Sequence, residues 1–172
     1  MSDTVKREGL VFNPAVIKTI PEIETVLARA TQDNNQELFD AAFDRLYVLT
    51  KQKYKDVADP IDRKVYQGLD MWVSMGRARG RRGVGNRTKQ KIKRVGTRQF
   101  LIDTVKQRTI AKHSGFTFNV SEQHPELTTE YIVVENAPEF PREIVALAKA
   151  RLEQYKLDVP KLARQVPRRK SA

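Results

Sequence analysis

The stretch DPIDRKVYQGLDMWVSMG, residues 59–76, decides the class of fold. Asp59 is a helix-capping residue type, and Pro60 suits the first helical turn, where a missing N–H costs nothing. Behind them Ile61, Val65, Leu69, Trp72 and Val73 recur at helical spacing and make one apolar stripe. Upstream, Leu38, Phe39, Ala42, Phe43, Leu46 and Leu49 form a wider apolar face on a helix expected to run to about Lys51. Asp33, Asn34 and Asn35 interrupt the pattern before it and offer an N-cap. Further back, Thr19-Ile20-Pro21 opens another helix, with Ile23, Val26, Leu27 and Ala30 along one side. Three amphipathic helices in succession predict a helical bundle over residues 16–76, preceded by a flexible arm at 1–15.

Downstream of Gly76 the character changes. Gly76-Arg77-Ala78-Arg79-Gly80-Arg81-Arg82-Gly83-Val84-Gly85-Asn86 is rich in glycine and nearly devoid of apolar side chains, so it reads as a flexible loop. From Thr88 a helical stretch is expected, exposed because only Ile92 and Val95 are apolar in it. Gly96-Thr97 marks a break. Leu101, Ile102, Val105 and Thr109 then predict a helix ending near Lys112 and His113, with Gly115 beyond it.

The period next shortens. Phe116, Phe118 and Val120 alternate with polar residues and predict a strand. Thr128-Thr129-Glu130-Tyr131-Ile132-Val133-Val134 is rich in β-formers and is expected to pair with it, although Leu127 to Glu135 also accommodates two helical turns. Pro141 opens a last helix carrying Ile144, Leu147, Ala148, Leu152 and Tyr155. The expected fold is mainly α, a helical bundle with a small β element, and α+β is the nearest alternative. In this reading 77–98 is a basic loop and exposed segment, 99–158 completes the same domain, and 159–172 is a basic disordered tail.

Composition narrows the function classes. The 172 residues include no cysteine, which excludes disulfide scaffolds, thiol catalysis, iron–sulfur clusters and Cys-bearing zinc sites. Two histidines, His113 and His124, are too few for a His-rich metal centre, and neither a metal nor a cofactor is expected. No apolar run approaches the ~18 residues of a membrane span, and the polar start MSDTVKREGL does not read as a signal peptide. The expected compartment is the cytoplasm, free or in a nucleoid, ribonucleoprotein or virion, and not the secretory route.

The net charge of +11 is unevenly placed: −2 over 1–76, +12 over 77–112, −4 over 113–158 and +5 over 159–172. Between Asp70 and Asp103 stand Arg77, Arg79, Arg81, Arg82, Arg87, Lys89, Lys91, Lys93, Arg94 and Arg98, with no acid among them. Solvated faces ordinarily mix signs, and an unmixed block repels itself until an external anion neutralises it. Guanidinium forks grip phosphate oxygens in pairs, and interleaved glycines let backbone approach backbone. The expected partner is therefore nucleic acid, DNA or RNA, gripped by these ten residues together with Arg168, Arg169 and Lys170 of the tail. No aromatic residue lies between Gly76 and Gln99, which argues against a membrane surface and against base stacking on the loop. A non-enzymatic binder follows, as a subunit of a nucleoprotein assembly or virion; a homo-oligomer is also left open.

Two short matches have other implications. Gly80-Arg81-Arg82-Gly83 resembles the GXXG loop of the K-homology RNA-binding module, although no strand precedes the first helix here. Arg108 and His113, spaced Arg-x4-His, are similar to the short motif of HEPN ribonucleases, which would imply RNA cleavage with His113 as titratable group and Arg108 as phosphate clamp. The simpler reading of His113 is a cap on a helix C-terminus. Glu122, Glu126, Glu130, Glu135 and Glu139 are read as an acidic face that docks the protein's own basic segment, before a metal-dependent nuclease site. A nuclease and a protein–protein adaptor with an acidic partner are thus the alternatives.

Overall fold

Side-chain caps mark the starts of three of the described α-helices. The computed structural model describes residues 13–107 and 124–155. After a 3-10 turn at Pro14–Val16 come α1 (Ile20–Gln32), α2 (Gln36–Lys53) and α3 (Pro60–Ala78). Asn35 caps α2 by accepting from the Leu38 N–H at 3.0 Å. Asp59 caps α3 by accepting from the N–H groups of Ile61 at 2.8 Å and Asp62 at 3.1 Å. Then follow α4 (Asn86–Val95), α5 (Thr97–Lys106), α6 (Thr129–Glu135) and α7 (Arg142–Gln154). The described residues are mostly helical and contain no strand.

Helix α3 is the spine. Its C-terminal half places Met71 and Met75 against Ile23, Val26 and Leu27 of α1 and Ala42, Phe43 and Leu46 of α2. Its N-terminal half places Ile61 and Val65 in a second cluster with Ile92, Leu101, Val105, Ile132–Val134, Ile144, Ala148 and Leu152. Each fully buried Ile or Leu contributes roughly 1.5–3 kcal/mol before conformational entropy is set against it. Through Ile92 the second cluster anchors the basic helix α4.

Four sequence expectations need correction. Residues 129–134 of the expected second strand are helical: Thr128 accepts from the Tyr131 N–H at 3.2 Å and so caps α6. Ile132, Val133 and Val134 are all buried, and a short helix packed on most sides has the same apolar run as a buried strand. The proposed pairing strand at 116–120 lies outside the described residues. Helix α3 runs two residues past Gly76, so Arg77 is helical and not part of a loop. Helix α5 stops at Lys106 instead of continuing toward Lys112, because Gln107 turns extended (φ −64°, ψ 129°) and its carbonyl accepts from Arg151. Of the expected arm at 1–15, residues 1–12 lie outside the described residues, while Asn13 caps the 3-10 turn in which Pro14 is buried, so 13–15 are not a loose arm. The expected tail at 159–172 also lies outside the described residues.

Asp59 both caps α3 and receives Arg98 Nη2 at 2.8 Å from α5. Burial raises the Asp59 pKa, but the bonds from Arg98, Asp62 and Ile61 outweigh it and hold the carboxyl below its ordinary 3.8. The carboxylate therefore contributes stability above pH 3.8, and that stability is lost as pH falls through the lower folded-state value. Asp59→Ala is expected to cost about 1–2 kcal/mol at neutral pH in urea unfolding. The variant and wild type should converge in strong acid; a gap constant from neutral to acid would contradict this.

Candidate nucleic-acid interface

The glycine-rich segment is a pinned turn. Helix α3 closes in a Schellman motif, with Gly80 N–H donating to the Arg77 carbonyl and Arg81 N–H to the Gly76 carbonyl, both at 2.8 Å. The one apolar side chain of the turn, Val84, folds back on Gly76: a Cβ there would stand 2.6 Å from a Val84 methyl. Gly85, at φ +78°, is buried, and a Cβ on it would stand 2.5 Å from a Val73 methyl. Glycine is required here for both its backbone angle and its lack of a side chain. Arg81 and Arg82 are thus displayed on a short, anchored turn between α3 and α4.

Helix α4 begins at this turn with its first-turn N–H groups uncapped by any side chain and with no acid in that turn. Its inner face carries Ile92, buried, with Thr88 and Val95 partly buried. Its outer face carries Asn86, Arg87, Lys89, Gln90, Lys93 and Arg94, all exposed. Lys91, between the two, donates to Asp103 of α5 at 2.9 Å. That bond, followed by the one from Gln99, holds the Asp103 carboxyl below its ordinary range.

The ten cations of 77–98 separate into two sets. Arg77 reaches Glu24 of α1 at 3.4 Å, Lys89 reaches Asp70 of α3 at 3.8 Å, and Lys91 is taken by Asp103. Arg98 is held by both Asp59 and Glu139, and its guanidinium is raised by those two hydrogen bonds, Asp59 first. Arg79 is the C-cap residue of α3 and is itself engaged. For Arg81, Arg82, Arg87, Lys93 and Arg94 no acidic partner stands within ion-pair distance among the described residues. These five are all exposed.

The Lys89 partner is itself a hub. Asp70 accepts from Lys53 Nζ and from the Tyr54 hydroxyl, each at 2.6 Å. Burial, and then the bond to Asp70, push the Tyr54 phenol up to about 12. Asp70 thereby links α2, α3 and α4, and fixes one flank of the basic helix to the bundle.

The glutamates turn to cations of the same chain. Glu139 docks Arg98, Glu135 accepts from Lys64 at 2.6 Å, and Glu130 accepts from Arg151 at 3.1 Å. Only the first of these docks the basic segment. Glu126 stands 3.1 Å from His124 Nδ1, whose ring stacks on Tyr47 at 4.3 Å. Burial opposes ionisation of Glu126, but hydrogen bonds from His124, its own backbone and Tyr47 prevail and lower its pKa. This latch between α2 and the entry to α6 was invisible in the sequence, because Tyr47 and His124 are far apart along the chain. Among the described residues no group of three or more His, Asp or Glu is placed to hold a metal ion.

Arg108, His113, Glu122, Arg168, Arg169 and Lys170 lie outside the described residues. Asn86 and Gln90 stand exposed at i,i+4 spacing among the cations of α4. Among the described residues no helix is long and apolar enough to cross a membrane. Compared with known protein families, with curated proteins and with solved structures, the chain matches none.

Proposed function

We propose that the protein binds nucleic acid through the turn at 80–85 and the outer face of α4, without catalysing a reaction on it. The supporting observation is the group of five exposed cations, Arg81, Arg82, Arg87, Lys93 and Arg94, on one anchored turn and helix, with no acid within ion-pair distance of them among the described residues. A protein leaves such a group uncompensated at a cost in self-repulsion, which a phosphate backbone removes. The uncapped N-terminus of α4 adds partial positive charge at the same end. Arg98 and Lys91 act in the fold instead, by holding α5 to α3 and to α4. A binder of this kind works where nucleic acid is, in the cytoplasm or within a nucleoprotein assembly or virion.

The test is fluorescence anisotropy with labelled single- and double-stranded DNA and RNA, comparing wild type with a variant carrying serine at 81, 82, 87, 93 and 94. Wild type is expected to bind at low salt, and the variant to lose that binding while keeping its helical circular dichroism. Equal binding by both would move the interface elsewhere. No binding by wild type would favour an acidic protein partner.

A further inference from the structure

We infer that the ligand is duplex DNA, and that α4 reads it from the major groove with Gln90, assisted by Asn86; this rests on the nucleic-acid reading above. At 100° per residue, Asn86 and Gln90 stand side by side about 40° apart on the most outward line of α4. Arg87 and Arg94 flank that line on one side, about 20° apart in projection and ~10 Å apart along the axis. Lys93 flanks it on the other, while Lys89, further round on that side, is taken by Asp70. The outer surface is therefore a central amide row with cations on both sides. Asn86, Gln90, Arg87, Arg94 and Lys93 are all exposed, and among the described residues no acid stands within ion-pair distance of these three cations.

That order matches a helix lying in a groove between two phosphate strands. A ten-residue helix is ~15 Å long and ~10–12 Å across, which fits a B-form major groove ~12 Å wide. The flanking cations then face the two backbones, and the amide row faces base edges. A carboxamide presents one acceptor beside one donor, the complement of adenine N7 and N6. The amides of Gln90 and Asn86 make no side-chain hydrogen bond among the described residues, so both are available.

Other nucleic acids fit less well. Single-strand binders stack bases on aromatic rings, and residues 77–99 contain none. Duplex RNA has a deep, narrow major groove that does not admit a helix. Reading bases also demands a rigid platform. Helix α4 has one, since Ile92 is in the core, Gly85 lies against Val73, and Lys91 is tied to Asp103.

The experiment is selection of binding sites by the full chain from a duplex DNA pool with a randomised centre, followed by affinity measurement on the enriched sequence. Wild type is expected to enrich one short motif containing adenine. Gln90→Ala should bind that motif about tenfold more weakly or worse, while its salt-sensitive affinity for the unselected pool is unchanged. Asn86→Ala should show a smaller loss of the same kind. Binding without any enriched motif would overturn base reading and leave the phosphate reading standing. Duplex RNA competing as well as duplex DNA would overturn the choice of ligand. Failure to bind any duplex at low salt would overturn the nucleic-acid reading itself.

Discussion

Replacing Arg151 with alanine is expected to destabilise the protein by about 3–5 kcal/mol at neutral pH. For a chain of this length the melting temperature should fall by roughly 6–20 °C. The reason is Glu130, whose side chain is only 2% exposed, with Arg151 at 12% its one charged partner among the described residues. Arg151 Nη1 donates to Glu130 Oε1 at 3.1 Å, while Nη2 donates to the Gln107 carbonyl, so a single guanidinium joins α5, α6 and α7. The second oxygen of Glu130 has no partner among the described residues. Removing the arginine leaves a buried carboxylate with no countercharge.

The pH dependence distinguishes this from simple loss of packing. Burial pushes the Glu130 pKa above its ordinary value, against the opposing pull of a backbone hydrogen bond and Arg151. A raised folded-state value means that the folded protein binds the proton more tightly than the unfolded chain does. Stability from this group is then greatest below the unfolded pKa and declines as pH rises through the folded one. Without Arg151 the folded value rises further, so the deficit of Arg151→Ala should widen from acid to neutral pH. Substituting methionine at both 130 and 151 should recover most of the loss, since an apolar pair needs no compensation. Urea unfolding at several pH values provides the check; an equal deficit at every pH would refute the charge account.

The second large effect is expected at Gly85. Gly85→Ala would force a left-handed residue to carry a side chain, at about 1–2 kcal/mol. It would also push a methyl to within 2.5 Å of Val73, where overpacking costs about 1–3 kcal/mol more. The sum, about 2–5 kcal/mol, should appear as lowered stability and as weaker nucleic-acid binding, because Gly85 sets where α4 begins. Gly80→Ala is the control. Its φ is +71°, yet a Cβ there meets nothing within 4 Å, so only the backbone cost of about 1–2 kcal/mol remains. Equal losses for the two variants would show that the packing of Gly85 on α3 is not what positions the turn.

Much of this architecture was readable from local chemistry. Asn35, the Asp59-Pro60 pair and the stripe through Ile61 and Val65 specify their helices with little help from the rest of the chain. Residues 128–134 did not, because Ile132, Val133 and Val134 favour strands intrinsically and become helical only through burial among α3, α5 and α7. The basic block was legible as a block but not as two sets of cations, one paired within the fold and one exposed. Linear sequence conceals that Glu24, Asp59, Asp70, Asp103 and Glu139 fold back onto Arg77, Arg98, Lys89 and Lys91. It also hid the part played by Val84, whose packing on Gly76 turns an apparent flexible loop into a fixed display. Charge density in the chain overstates the cations available to a ligand, and only the fold separates the two sets.

The most direct test of the interface is the salt dependence of duplex DNA binding. If the five cations that have no acidic partner among the described residues each neutralise one phosphate, log affinity against log salt should have a slope of about −4.5. Binding would then weaken about 500-fold between 50 and 200 mM salt. Serine at Arg81 and Arg82 should bring the slope to about −2.7, and serine at all five should leave it near zero. A slope of about −4.5 that persists in the five-serine variant would contradict the account, because the phosphates would then be held by another part of the chain.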